Sequence, residues 1–493
     1  MSQQSSPFFR LPRELRDEIY RYALLEPGGY HYDPISGKLR TEQGSAINLS
    51  LCYMCRQVAT ETFSMPLQEI TLRFSSYPDA SATAKKFKDL RKRSVFAVKR
   101  MLAWAADCVT AEHLDILQSA FPHHEGIRFL RSKNAAYRKC ELETRGITGC
   151  YNAPEHVTVQ AIHDLLAVIG TDPRFHSLSA KEYDPKLRNG QPPPNRNDYR
   201  IRDDEEDHIP RYAPHSQRRV IEWNPQPWDI SDPADLDEMD KLMYQPEWNI
   251  DITQRVCPKT QYYYSGTASA IRFLKGIRPE TRLSIRKIEI DERHLSVGKM
   301  DSHAHGLIPY CRENPKLKVE IRIDIWRVVM LKGLSPGRWT LSVSSVLSRV
   351  ARWLRESSLL SQQGMPRGQC TLFFHGGESG LTQQLWDVIK RAAALDDAII
   401  HLPNSLPLEA QHNRLLATVP PDLGDLVKQV VEGSLPIRFD AMVGGLWDLE
   451  QAASELKYSG AWHYDLRNVI GFLGFERHED TWELIWEEHY IYP

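Results

Sequence analysis

The segment Leu317–Trp326 constrains the fold of this chain more than any other stretch of the sequence. Its apolar residues occupy every second position: Leu317, Val319, Ile321, Ile323 and Ile325. The positions between them are charged: Lys318, Glu320, Arg322 and Asp324. This period of two is typical of a β-strand, and it places all the apolar side chains on one face of a sheet. We therefore predict a strand with one buried face and one face that meets water.

Predicted helices and strands alternate around this segment. The other predicted strands of this region are Ser284–Asp291 and Gln369–Phe374. The predicted helices are Ala268–Lys275, Gly306–Glu313, Val343–Leu360, Leu381–Leu395, Leu423–Val431 and Trp447–Leu456. Such alternation is typical of α/β units around a small parallel or mixed sheet. The sequence has no fixed repeat period, so a regular solenoid is not expected.

A second strong pattern lies near the amino terminus, where Phe8–Leu25 predicts an amphipathic helix. Pro12 suits the first turn of a helix, because its missing N–H costs nothing there. Apolar side chains recur at helical spacing and form one stripe: Leu11, Leu15, Ile19 and Tyr22. The charged residues Arg13, Arg16, Asp17 and Arg21 lie off this stripe and are expected to stay in water. The stripe needs a cover, which is either the core of this chain or the groove of a partner.

The next segments predict a loop, a second helix and a strand. Glu26–Asn48 is rich in proline and glycine and predicts a long loop that can hold a small hairpin around Asp33–Gly37. Leu49–Phe63 predicts the second helix, with Leu51, Cys55, Val58 and Thr62 on one face. Glu69–Phe74 alternates as a half-buried strand.

These N-terminal residues resemble a known motif. The run Leu11-Pro12-Arg13-Glu14-Leu15-Arg16-Asp17-Glu18-Ile19-Tyr20 resembles the opening of an F-box, and more closely that of F-box-like proteins abundant in filamentous fungi. Cys55-Arg56-Gln57 is similar to the Cys-Arg-Gln core of their second helix. The later blocks Ala270–Leu274 and His303–Pro309 look like blocks of uncharacterised members of that group. The connection Glu26–Asn48 is longer than in an ordinary F-box.

The resemblance implies an adaptor function. Such a protein docks on the small linker subunit of a cullin–RING ubiquitin ligase and presents a protein substrate, unknown here, through its C-terminal part. The residues expected to bind the linker subunit are Leu11, Pro12, Leu15, Ile19, Tyr22, Cys55 and Arg56. The alternative is a structural or scaffold protein whose F-box-like helices belong to its own core, with no ligase role.

The predicted fold class is α+β, with four segments. Residues 8–75 form the F-box-like helical module, and residues 80–180 form a helical region. Residues 181–266 are an inserted flexible loop, because proline and acidic residues there bury too little apolar surface to offset ordering entropy. Residues 267–493 form the α/β region with a small mixed or parallel sheet.

Bulk properties exclude several function classes. The net charge is −2 and the basic stretch Lys85–Arg100 has an inner apolar side, so we expect a solvated helix face and no nucleic-acid partner. A phosphate contact or a nuclear-import signal is the alternative for this stretch. The sequence has no apolar run of about 18 residues and no signal-peptide core near its amino end, so no membrane span is expected and the expected location is the cytoplasm or nucleus. The eight cysteines are expected to be free thiols.

Three short motifs carry weak chemical signals. Cys52-x-x-Cys55 lacks the second ligand pair that a structural zinc needs. His303-x-His305, with Asp301 beside it, has metal-like spacing but lacks further ligands, so structural histidines are expected and a metal-dependent hydrolase is a distant third function. Gly376–Gly380 lacks the Lys-Ser/Thr pair of a phosphate loop and predicts a tight turn. We therefore predict no enzyme activity, no metal and no cofactor.

Overall fold

The computed structural model describes residues 6–63, 65–79, 81–144, 146–148, 155–175, 178, 214–243, 261–330, 343–376, 379–402 and 422–458. The chain divides into two compact units. The first consists of Met1–Ala80 together with Lys259–Pro493, and the second consists of Ser81–Pro258. Among the described residues, the structure has no helix both long and apolar enough to cross a membrane.

The first unit is organised around a seven-stranded sheet. Its strands are β1 (Tyr30–Asp33), β2 (Lys38–Arg40), β3 (Thr71–Ser75), β6 (Lys287–Glu292), β7 (Lys318–Asp324), β8 (Cys370–His375) and β9 (Ile437–Phe439), in the spatial order β2-β1-β3-β6-β7-β8-β9. Two further short strands, β4 (Tyr77–Pro78) and β5 (Tyr263–Tyr264), form a separate antiparallel pair. Among the strands that the structure describes in the main sheet, only β2 runs antiparallel. The prediction of an α+β fold with a mixed or parallel sheet is therefore confirmed.

Helices of the first unit lie both before and between the strands. Those near the amino terminus are α1 (Arg13–Leu24), α2 (Arg56–Thr62) and α3 (Met65–Glu69). Those after the second unit are α11 (Gly266–Gly276), α12 (Pro279–Arg282), α13 (Ile308–Glu313), α14 (Val343–Gln362), α15 (Ser379–His401), α16 (Leu423–Val431) and α17 (Leu449–Tyr458). Short 3-10 helices cover Pro7–Arg10, Ser50–Tyr53 and Met300–Leu307.

In the main sheet, β3, β6, β7, β8 and β9 follow each other in space in chain order. Right-handed crossovers that always add a strand at the same edge place their helices on one face of the sheet. The helix contacts agree with such a layer: α11 packs on β3 and β6, Met300–Leu307 packs between α11 and α14, and α16 packs between α14 and α15. The result is a helix layer over one face of the sheet.

Burial alternates along every long strand and identifies the covered face. Its buried residues include Leu72, Phe74, Ile288, Ile290, Val319, Ile321, Ile323, Leu372, Phe374 and Phe439. The residues between them are mostly charged or polar and half-buried or exposed. The alternation that predicted β7 therefore reflects a sheet with one buried face and one face that is accessible to solvent.

The strand β7 ends two residues before the predicted end. The Asp324 carboxylate accepts hydrogen bonds from the backbone N–H groups of Trp326 (2.9 Å) and Arg327 (3.0 Å). The chain then enters a π-helix at Ile325–Met330, and the Trp326 indole donates to the Gly376 carbonyl at 3.1 Å. A side-chain bond of this kind competes with the sheet ladder, which the alternation alone does not reveal.

The second unit is helical in its described part. Its α-helices are α4 (Thr83–Trp104), α5 (Ala111–Ala120), α6 (Glu125–Arg131), α7 (Ala135–Thr144), α8 (Glu155–Ile169), α9 (Pro214–Glu222) and α10 (Pro233–Met243). Phe87, Leu90 and Val98 of the basic stretch are buried, as predicted for its inner side. Lys86 contacts Asp237 at 2.6 Å, so part of the basic face is paired with acidic residues of α10. Most of the predicted flexible insertion at 181–266 lies outside the described residues, but its described part contains the helices α9 and α10, with Val220, Leu236 and Met239 buried.

Candidate functional site

The N-terminal helices form one packed cluster. α1 begins after Pro12, whose carbonyl accepts from the Arg16 N–H at 3.2 Å, and it contacts both α2 and α3. The predicted helix Leu49–Phe63 is divided: a 3-10 helix covers Ser50–Tyr53, and α2 starts after Cys55. The Cys55 thiol caps α2 by accepting from the Val58 N–H at 3.5 Å. Because α1 and α2 are in contact, the two segments that carry the F-box resemblance are neighbours.

The inner side of this cluster is apolar. Its buried residues are Tyr20, Leu24, Val58 and Met65, and the partly buried residues packed on them are Phe8, Phe9, Leu51 and Cys55. The Phe8 ring lies 5.6 Å from the Tyr20 ring. Burial of this many apolar side chains fixes α1 against its neighbours, at roughly 1.5–3 kcal/mol for each large side chain that is fully buried.

The predicted apolar stripe of α1 is not the face that this helix turns inward. Leu15, Ile19 and Tyr22 are 52%, 44% and 74% exposed. The expectation that Arg16 stays in water is wrong: Arg16, Tyr20 and Leu24 are the buried residues of α1. We call Leu15, Ile19 and Tyr22 the outer stripe.

A buried ion pair holds α1 in this orientation. Arg16 Nη2 lies 2.7 Å from Glu61 Oε1 and Arg16 Nε donates to Glu61 Oε2 at 3.1 Å. The Tyr20 hydroxyl donates to Glu61 Oε2 at 2.8 Å, and the Gln57 amide donates to Oε1 at 3.1 Å. Paired and hydrogen-bonded in this way, a buried arginine no longer carries an uncompensated desolvation cost. Arg16 can therefore lie on the inward face of α1, and the apolar stripe, which is on the other side of the helix, faces outward.

The same contacts shift two pKa values in the cluster. Hydrogen bonds from Arg16, followed by those from Tyr20 and Gln57, lower the pKa of Glu61 from 4.5 to about 2. Burial and the neighbouring Glu61 carboxylate raise the pKa of Tyr20 to about 12. Glu61 is thus ionised and Tyr20 protonated across the neutral range, which is the state that keeps the network intact.

These shifts predict an acid-sensitive contribution to stability. The lowered pKa of Glu61 means that its contribution is complete above pH 4.5 and is lost as the pH falls from 4.5 towards 2. We expect the difference in the free energy of unfolding between wild type and Glu61→Gln to shrink by about 2–3 kcal/mol over that interval. Urea denaturation of both proteins between pH 6 and about 2.5 measures it. A difference that is constant with pH would contradict the proposed state of Glu61.

The other predicted site residues occupy different places in the cluster. Leu11 is half-buried and its carbonyl accepts from Arg16 Nη1 at 2.6 Å, while Pro12 is exposed at the helix start. Cys55 lies on the inner side, and Arg56 is exposed on α2. The structure therefore brings Leu15, Ile19 and Tyr22 together on one exposed face and places Cys55, which is partly buried, on the inner side of the cluster.

The long connection between the helices is part of the sheet. The predicted hairpin is confirmed: β1 and β2 pair around Asp33–Gly37, and β1 also pairs with β3. Gly29 precedes β1 at φ +73°, and a Cβ atom there would lie 2.5 Å from the Thr71 carbonyl oxygen, so only glycine fits. The Asn48 amide donates to the Ala23 carbonyl at 3.3 Å and returns the chain to α1. The insertion extends the sheet and leaves α1 and α2 in contact.

Sequence reasoning missed Glu61, Tyr20 and Gln57. A signal for them was present, because Arg16, Tyr20 and Leu24 recur at spacings of four and form a second face of α1. Glu61 lies next to Thr62 and three residues after Val58, so it reaches the inner side of α2. An acid there, facing an arginine, indicates an internal ion pair.

The histidines of the metal-like motif are buried in the first unit. His303 Nδ1 lies 2.7 Å from Ser265 Oγ, which also caps α11. His305 Nδ1 lies 2.8 Å from Gln363 Oε1 and its Nε2 lies 3.0 Å from Glu356 Oε2. The two rings therefore have different neighbours. Gly377 and Glu378 of the glycine-rich turn lie outside the described residues.

Comparison with other proteins yields no relative. No family model matches the chain, no curated protein matches it, and no solved structure matches it.

Proposed function

We propose that this protein is a non-enzymatic F-box-like adaptor, in which α1 docks on the linker subunit of a cullin–RING ubiquitin ligase and the α/β part receives a protein substrate. The observation that carries this proposal is the outer stripe. Leu15, Ile19 and Tyr22 follow each other along one exposed face of a helix whose opposite face is packed. These residues also belong to the run that resembles the F-box opening.

The outer stripe has the chemistry of a helix-in-groove contact. Residues at positions i, i+4 and i+7 project from one side of a helix and are the anchors by which a helix lies in a hydrophobic groove. Leu15, Ile19 and Tyr22 have this spacing. Glu14 and Glu18 are exposed beside them, so a charged rim borders the apolar centre, as in protein interfaces.

The ion pair beneath the stripe favours binding as well. Arg16 and Glu61 join α1 to α2, so the orientation of α1 is fixed before any partner arrives. A preorganised surface avoids part of the ordering entropy that association otherwise costs. The buried pair thus keeps the outer stripe in a fixed orientation, which lowers the entropic cost of binding a partner.

A structural or scaffold role without a ligase partner is the second candidate. The observation that favours it is the hairpin of β1 and β2, which ties the helical cluster to the main sheet through β3. In that case the cluster is an integral part of the first unit, and the outer stripe has no ligase subunit to bind.

The double variant Leu15→Asp with Ile19→Asp tests the adaptor proposal. We expect tagged full-length protein to retain the linker subunit in mild salt. The double variant should retain at least about tenfold less of the linker subunit, because two carboxylates would be buried in the interface. Stability should change by no more than about 1 kcal/mol per site, since both side chains are about half exposed. The readouts are quantitative pull-down and circular dichroism.

The matched control is Leu283→Asp with Leu446→Asp, which places the same charges on apolar side chains of the first unit that are 46% and 53% exposed. Retention should be unchanged in this control. Wild-type protein that retains no linker subunit, or retention equal in both double variants, would refute the adaptor proposal and favour the scaffold role.

A further inference from the structure

The face of the main sheet opposite the helix layer consists mostly of charged and polar side chains that are half-buried or exposed. We call it the open face; its members are Arg73, Lys287, Glu289, Asp291, Lys318, Glu320, Arg322, Thr371, Phe373 and Arg438. The strand register aligns them in rows across the sheet. One row is Arg73, Glu289, Glu320 and Thr371, and the next is Asp291, Arg322, Phe373 and Arg438. Neighbouring side chains in a row are close enough to contact one ligand.

The charges of the open face are arranged in two layers. The side chains of Arg73, Lys287, Arg322 and Arg438 are between 38% and 62% exposed. Those of Glu289, Asp291 and Glu320 are between 14% and 29% exposed. The carboxylates are therefore closer to the strands, and the cationic groups are more accessible to solvent. A partner that approaches this face would contact the cationic groups before the carboxylates.

Two exposed arginines of the open face converge on one aromatic ring. The guanidinium carbon of Arg322 lies 5.3 Å from the centre of the Phe373 ring, and that of Arg438 lies 4.9 Å from it. Each guanidinium also has a nitrogen about 4 Å from a Glu320 oxygen, at 3.8 Å for Arg322 and 4.0 Å for Arg438. These separations exceed hydrogen-bond length. Among the described residues, none hydrogen-bonds either guanidinium, so their N–H donors are available.

We propose that the open face binds an acidic peptide segment of a protein partner, with Arg322, Phe373 and Arg438 as its anchor. A guanidinium donates two parallel hydrogen bonds to a carboxylate, and stacking on the Phe373 ring holds both groups in place for that contact. Glu320 lies between the two arginines and is the group that a ligand carboxylate must outcompete. In the adaptor, this segment belongs to the substrate; that assignment alone rests on the proposed function.

A peptide fits this surface better than a nucleic acid. A nucleic-acid backbone needs many cations, and its affinity rises with every phosphate neutralised. The open face holds five basic residues against three carboxylates, and the whole chain has a net charge of −2. Those carboxylates would repel a dense phosphate backbone, whereas a peptide can space its few charges to match the rows.

The test is direct binding to the full-length protein without ligase subunits. The probe is a fluorescent peptide of about ten residues with alternating glutamate and alanine, and its control has glutamine for glutamate. We expect the glutamine peptide to bind at least about tenfold more weakly. Arg322→Gln with Arg438→Gln should weaken the glutamate peptide about tenfold, and Glu320→Gln should tighten it about threefold, because a competing charge is removed. The matched control is Lys85→Gln with Lys92→Gln, two exposed lysines of α4, which should leave affinity unchanged.

Several outcomes would overturn the proposal. These are equal binding of the two peptides, equal loss in both double variants, or tighter binding of an oligouridylate of about ten nucleotides that needs the same arginines. The variant Leu15→Asp with Ile19→Asp should keep peptide affinity. If the linker subunit is not retained while the peptide binds through Arg322 and Arg438, the adaptor proposal fails and the open face still stands as a peptide site.

Discussion

Replacing Glu61 by alanine is expected to lower the opening free energy of the α1–α2 cluster by about 3–5 kcal/mol, because it leaves a buried guanidinium without a counter-charge. The side chains of Arg16 and Glu61 are only 11% and 7% exposed, and the Tyr20 hydroxyl would lose its acceptor as well. Native-state amide hydrogen exchange in α1 and α2 measures the effect, and the amides of both helices should exchange at least about a hundredfold faster.

An exposed ion pair between α1 and α3 offers a matched control. Arg21 contacts Glu69 at 3.0 Å, but both side chains are more than a third exposed. Glu69→Ala should therefore cost less than about 1 kcal/mol. If the two alanine variants exchange alike, the Arg16–Glu61 pair does not fix α1, and the orientation of the outer stripe needs another cause.

The second large effect concerns two adjacent phenylalanines of β8. Phe374→Ala is expected to lower the free energy of unfolding of the sheet by about 3–5 kcal/mol, through lost burial and the cavity that forms. Phe374 is buried, and its ring lies 5.6 Å from the Trp353 ring and 5.2 Å from the Phe439 ring. Hydrogen exchange of the β7 and β8 amides measures the change, since these strands pair directly.

Phe373→Ala is the control, because it makes the same substitution one residue away on the opposite face of the sheet. Phe373 is half-buried on the open face, so its loss should cost only about 1 kcal/mol. Its effect should appear in affinity for the acidic peptide, because the two guanidinium groups lose the ring on which they stack. Equal destabilisation by both substitutions would contradict the assignment of the two faces.

Much of the secondary structure follows from periodicity. The predicted strands at Glu69–Phe74, Ser284–Asp291, Leu317–Trp326 and Gln369–Phe374 correspond to β3, β6, β7 and β8 within a few residues. Each strand alternates because one face of the sheet is buried and the other is accessible to solvent. This alternation is visible within the few residues of the strand itself. The strand β9 was not predicted, because its three residues are too few to show a period.

The candidate site was predicted only in part. The outer stripe was identified as an apolar face of α1, but its direction was not, because α1 has a second face that also repeats every four residues. Which face turns inward depends on Glu61, which follows Arg16 by 45 residues. The residue pattern of α1 alone cannot reveal this contact, because Glu61 lies outside the helix.

The sequence by itself determined the strands β3, β6, β7 and β8, many of the helices, and which side chains share a face, because those properties arise between residues a few positions apart. The tertiary structure decided which face of α1 points outward, the order in which the strands assemble, and the meeting of Arg322 and Arg438 over Phe373. These features depend on contacts between residues far apart in the chain, whose free energies are set by burial and charge pairing once the elements have come together.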